Sequence, residues 1–123
     1  MSDPAVSLLR RGQIVLVSFD PAVGSEVRKT RPAVLVSNNT ANDVAARRPQ
    51  ATVTVVPVTS NVQRVLPFQV LLPAAVTGIE RDSKAQAEQV RTISVTRLVR
   101  PVGWVPAELM AAIDEALRLH LSL

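Results

Sequence analysis

Thr52 to Val58 reads TVTVVPV, with valine at every position but Thr52, Thr54 and Pro57. Branching at Cβ stiffens these side chains and favours extended backbone. A proline inside such a run demands an edge, a bulge or a strand end. The run is the strongest of a series. QIVLVSF (Gln13 to Phe19), Pro32 to Ser37, FQVLL from Phe68, Ser83 to Ala87, Gln89 to Val95 and LVRPVGWV are all of strand length. The polar connection NNTANDVAARRPQ is expected to hold one helical turn. Only the chain's end differs in kind. Pro106 suits a first helical turn, and Glu108 lies near its positive end. Leu109, Ala112, Ile113, Ala116, Leu117 and Leu121 then form one apolar stripe at helical period. Short strands followed by one helix predict a mostly β fold, a small antiparallel barrel closed on one side by the C-terminal helix.

The bulk properties narrow the partners. At 123 residues the chain is expected to be one domain, with residues 1–10 a short tail. No apolar run approaches the ~20 residues of a membrane span. MSDPAVSLLRRG has an acid where a signal peptide carries bases, so a cytoplasmic protein is expected. The absence of cysteine excludes disulfides, thiolate zinc sites and cysteine nucleophiles. A net charge of +4 and a pI near 11.0 favour a polyanionic partner. Phe19, Phe68 and Trp104 are the only aromatic residues besides the histidine, too few to stack a succession of bases.

Most catalytic schemes fail for want of parts. The one histidine, His120, falls within the apolar stripe and reads as a core or interface residue. There is no HExxH, no carboxylate cluster at metal spacing and no phosphate-cradling glycine loop, so neither a metal nor a cofactor is expected. What remains is GSEVRKTRP, Gly24 to Pro32, which gathers cations and an acid just before a core strand. Arginine, threonine and an acid suit cleavage of RNA by its own 2′-hydroxyl, because the substrate then supplies the nucleophile. The protein needs a base, an acid and a cation for the charge that builds on phosphorus. Arg31 would place two parallel hydrogen bonds on phosphate oxygens. Glu26 would take the 2′-hydroxyl proton, and the Thr59 hydroxyl would bond a non-bridging oxygen. The same residues also read as a hairpin cation, its salt-bridge partner and a turn threonine.

RGQIVLVSFDPAVGSEVRKTRPAVLVSNN resembles the opening of the MazF/PemK/Kid toxins, the small ribonucleases of bacterial toxin–antitoxin systems. The likeness continues through VVPVTS, LPFQVLL, GIERDSKAQAEQVRTISVTRLV and ELMAAIDEALRLHLSL, from Arg11 to Leu121 without a large gap. It implies an SH3-like barrel of the CcdB/Kid/MazF kind. It also implies a homodimer, metal-independent cleavage of single-stranded RNA, and a cognate MazE-like antitoxin with an acidic C-terminal segment. By position, Arg31 and Thr59 match the family's catalytic arginine and threonine, and Glu26 matches a carboxylate proposed as base. Glu88 is the rival base. Ser83, Gln89 and Arg91 match positions lining the RNA groove, and Arg28 and Lys29 add charge in a loop that varies among relatives. A gyrase-binding toxin of the CcdB type and a non-catalytic SH3-like module are the alternatives. The first is marked by a tryptophan-containing tail, whereas this chain ends LHLSL; the second needs an aromatic groove.

Overall fold

The computed structural model describes residues 9–19 and 30–123; Glu26, Arg28 and Lys29 lie outside them. The described residues form one antiparallel sheet. Its strands are β1 (Gln13–Ser18), β2 (Thr30–Leu35), β3 (Thr52–Thr59), β4 (Gln69–Leu72), β5 (Ser83–Gln86), β6 (Arg91–Ser94) and β7 (Leu98–Trp104). They run in the order β4–β5–β3–β2–β1–β7, with β6 also paired to β3. Helix α1 (Asn39–Ala45), the single turn α2 (Ala74–Thr77) and helix α3 (Ala107–Leu121) complete the fold.

Strand β3 is the hub. One edge bonds β2, and the other bonds β6 from Thr52 to Val55 and β5 at Val58 and Thr59. Pro57, which lacks an N–H, sits between those two partners on that edge, where no ladder bond is required of it. Side-chain alternation then builds two cores. Val56 and Val58 join Ile14, Val34, Leu72 and Ala85 on one face, while Val53 and Val55 join Val15, Val17, Ala33, Leu35 and Ile93 on the other. Helix α3 packs on the first core through Ile113, which is fully buried. Burying a side chain of that size contributes ~1.5–3 kcal/mol.

The barrel is incomplete. Among the described residues β4 and β7 end the sheet without pairing to each other. The α2 turn, which follows β4, meets β7 instead: a Cβ at Gly103 would stand 2.4 Å from the Thr77 carbonyl oxygen. Glycine is therefore required there by close approach.

Three local expectations change. The polar connection holds a seven-residue helix rather than one turn, because the Asn38 side chain caps Ala41 N–H and the buried Asn42 bonds Ser37. The stretch from Ser83 to Val95 is broken by a 3₁₀ turn, Ala87–Gln89, so β6 starts only at Arg91. His120 is exposed, with its ring tilted against Phe68 at 6.4 Å, and is no part of the core.

Candidate active site

Arg31 is the second residue of β2, and Thr59 is the last of β3. These strands pair with Ala33 opposite Pro57, and continuing that register sets Arg31 opposite Thr59. Both residues share parity with Ala33, Leu35, Val53 and Val55, which are buried in the second core. The backbone beneath the pair is thus fixed by packing, while Arg31 stands exposed and Thr59 half-buried at the end of the sheet.

The two residues line one open cavity of about 300 Å³ together with Ser60, Glu80, Arg81 and Ser83. Thr59 Oγ1 accepts the Asn61 backbone N–H at 3.2 Å, which leaves the hydroxyl hydrogen to donate elsewhere. The Arg31 side chain has no hydrogen-bond or ion-pair partner among the described residues. Its charge is therefore available to a ligand. Opposite Thr59 across the β3–β5 pair stands Lys84, only 8% exposed, whose Nζ donates to the Arg64 carbonyl. This bond ties down the segment that follows Thr59.

Arg31 also borders a second cavity of about 300 Å³, with Phe19, Pro57, Gln86, Gln89 and Arg91. Gln89 and Arg91 are both exposed there, and the Arg91 guanidinium lies 5.1 Å from the Phe19 ring centroid. Sequence-predicted Ser83, Gln89 and Arg91 thus fall on two cavities that meet at Arg31. Ser83 is 4% exposed and its hydroxyl donates to the Arg81 carbonyl, so it shapes the turn as well as lining the cavity.

Glu88 is turned elsewhere. One carboxylate oxygen accepts from Gln69 Nε2 at 2.7 Å, and the other is buried without a partner among the described residues. Gln69 in turn accepts the Leu66 N–H, so Glu88 braces the chain entering β4. Glu80 and Arg81 were missed in the sequence. Their only signal was an adjacent acid and base in GIERDS, which reads as an ordinary charged turn until β5 pairs with β3.

Arginine and threonine on neighbouring strand ends, in an open cleft fed by further cations, can bind a phosphodiester. The family model for the PemK-like, MazF-like toxin of type II toxin–antitoxin system matches residues 10–121. The chain belongs to that family. The toxin is 56% identical over 116 residues to the endoribonuclease MazF9 of Mycobacterium tuberculosis, covering 94% of this chain and 98% of the relative. Its fold matches the solved M. tuberculosis toxin MazF-mt6 with a TM-score of 0.72 at 27% identity, over 90% of this chain and 97% of that one. A solved mycobacterial endoribonuclease in complex with its cognate antitoxin matches the toxin with a TM-score of 0.69 at 26% identity, over 94% and 96% of the two chains.

Proposed function

We propose that this toxin is an endoribonuclease that cuts single-stranded RNA in the cytoplasm without a metal, through the RNA's own 2′-hydroxyl. The carrying observation is the Arg31–Thr59 pair, set on a packed scaffold with its donors unspent. In this mechanism the Arg31 guanidinium holds two phosphate oxygens and the Thr59 hydroxyl donates to a non-bridging oxygen as negative charge grows there. Glu26 takes the 2′-hydroxyl proton, the 2′-oxygen bonds phosphorus, and the bond to the 5′-oxygen breaks. That oxygen leaves with a proton from water at the open cleft. Arg28, Lys29, Gln89 and Arg91 hold the strand on either side, and Ser83 supports the Arg81 turn.

Two partner readings go with it. A cognate antitoxin with an acidic segment fits the free cations of the cleft, as charge complementarity requires. The similarity to an endoribonuclease solved with its antitoxin supports that pairing. A homodimer is supported by exposed Leu119, Leu121 and Leu123 at the end of α3, apolar surface that a two-fold interface would cover.

Product analysis tests the mechanism. The upstream fragment should end in a 2′,3′-cyclic phosphate or its hydrolysis product, and the downstream fragment in a free 5′-hydroxyl. A 5′-phosphate on the downstream fragment, or cleavage when the ribose before the scissile bond is replaced by deoxyribose, would mean that water attacks instead.

A further inference from the structure

A larger cavity than either of these two lies beside the cleft. It encloses about 940 Å³ and is lined by Leu16 and Pro32, the 78–80 turn and the Arg100–Trp104 stretch of β7. Pro32, Ile79 and Glu80 also line the Arg31–Thr59 cavity, so the two spaces adjoin. Cross-strand register fixes the near part: Pro32 stands opposite Leu16 on β1, and Leu16 opposite Arg100 on β7. Trp104 lies four residues beyond Arg100 on the same strand, beside Gly103.

Two features of this groove have no structural use. Trp104 is 50% exposed, a costly placement for so large an apolar ring unless something covers it. Arg100 is exposed, and no hydrogen-bond or ion-pair partner holds it among the described residues. Arg97, on the same side of the sequence, shows the contrast: its guanidinium is spent on the Ser18 and Phe19 carbonyls. A flat aromatic face and a free guanidinium in one groove are the two elements that hold a single-stranded nucleotide. The ring stacks the base, and the cation holds its phosphate.

We infer that the groove from Glu80 to Trp104 is a subsite for a nucleotide flanking the scissile bond, with the base stacked on Trp104 and its phosphate on Arg100. This rests on the endoribonuclease reading of the neighbouring cleft and extends the RNA path beyond it. Charge and adjacency to the cleft favour RNA as occupant. The groove's cation belongs to a series, Arg91, Arg31, Arg81 and Arg100, distributed over three adjoining cavities. One tryptophan serves one base, which is compatible with a chain too poor in aromatics to stack a run of them. Glu80, at the junction, would repel a phosphate but can accept a hydrogen bond from a base N–H, so it favours a base edge at that point.

Trp104 is the chain's only tryptophan and there is no tyrosine, so intrinsic fluorescence reports this position alone. The probe is single-stranded 2′-O-methyl RNA, which has no free 2′-hydroxyl and is not cut. Its binding is followed in parallel by anisotropy of an end label. Stacking should quench Trp104 emission along the same isotherm as the anisotropy. Trp104→Leu should weaken binding about 5- to 150-fold, the range of one base–aromatic stack, and Trp104→Phe should restore most of it. Arg100→Gln should reduce the slope of log K against log salt by about 0.7, one phosphate on a single strand, while Trp104→Leu leaves the slope alone. Anisotropy that rises with no change in Trp104 emission would overturn the subsite. So would a Trp104→Leu protein that binds RNA normally but loses affinity for an acidic antitoxin segment, because the groove would then belong to the protein partner. Failure of the underlying reading looks different: the unmodified toxin would cut no RNA at all.

Discussion

The two ends of β1 and β2 treat their arginines in opposite ways. Where β1 begins, Arg10 pairs with Asp43, and Arg11 bonds both the Val36 carbonyl and Asp114 of helix α3. Arg118 of that helix pairs with Glu115. Where β1 ends and β2 starts, Arg31 has no such partner, and neither Arg81 nor Arg100 has a side-chain bond among the described residues. Arg91 has only the face of Phe19. The Arg10 and Arg11 pairs join elements of the fold and the Arg118 pair lies within one helix, whereas cations left unpaired within a cavity keep their binding capacity for a ligand. The same residue type therefore has two roles, and partnership separates them.

The comparison is broken most severely at Arg31. Arg31→Ala should lose at least about two orders of magnitude in cleavage rate, the scale of one donor to transition-state charge, with an unchanged melting temperature. Thr59→Val, isosteric without the hydroxyl, is the matched variant. Near wild-type cleavage by the Arg31 variant would remove it from the mechanism.

Next in size is the choice of base. Glu26→Gln should slow cleavage strongly and flatten the acidic limb of the pH–rate profile. Glu88→Gln should instead act on stability, because Glu88 supports Gln69 under β4 and lines neither cavity at Arg31. If the Glu88 variant alone lost the pH limb, the assignment would be reversed.

Gly103→Ala acts on the fold and not directly on the cleft. Its Cβ would meet the Thr77 carbonyl oxygen at 2.4 Å and Ile79 Cγ2 at 3.2 Å, with backbone on the tighter side. Overpacking of that kind costs about 1–3 kcal/mol, readable as a lower denaturant midpoint. An unchanged midpoint would show that α2 moves freely away from β7.

The smallest effect belongs to the paired end. Arg11→Met should cost about 1–2 kcal/mol through loss of bonds to Val36 and Asp114, both partners being partly solvated. The rate per folded molecule should stay at the wild-type value. A rate loss there comparable to that of Arg31→Ala would erase the distinction between paired and unpaired arginines.

Strand and helix existence was legible because hydrophobic period is a local property. TVTVVPV had to be a strand, the stripe from Leu109 to Leu117 had to be a helix, and Arg31 had to stand near the start of a strand. Boundaries were less legible where a local cap or turn competes with pattern, as at Asn38 and at Ala87–Gln89. His120 shows the limit of the helical stripe: period placed it on the apolar face, but the face runs past the end of the core, leaving it on Phe68.

The sequence by itself determined the residue types available for chemistry, and resemblance to a family put Arg31 and Thr59 in named roles. Only tertiary structure decided which charged groups share a space. Glu88 and Gln89 are neighbours in sequence, yet one faces Gln69 and the other the groove, because a 3₁₀ turn separates their directions. Glu80 and Arg81 reach the Thr59 cleft through the pairing of β5 with β3, and Arg100 and Trp104 reach the adjoining groove through the pairing of β7 with β1. Antiparallel register joins residues far apart in the chain, and no local pattern encodes which distant strand will supply the partner.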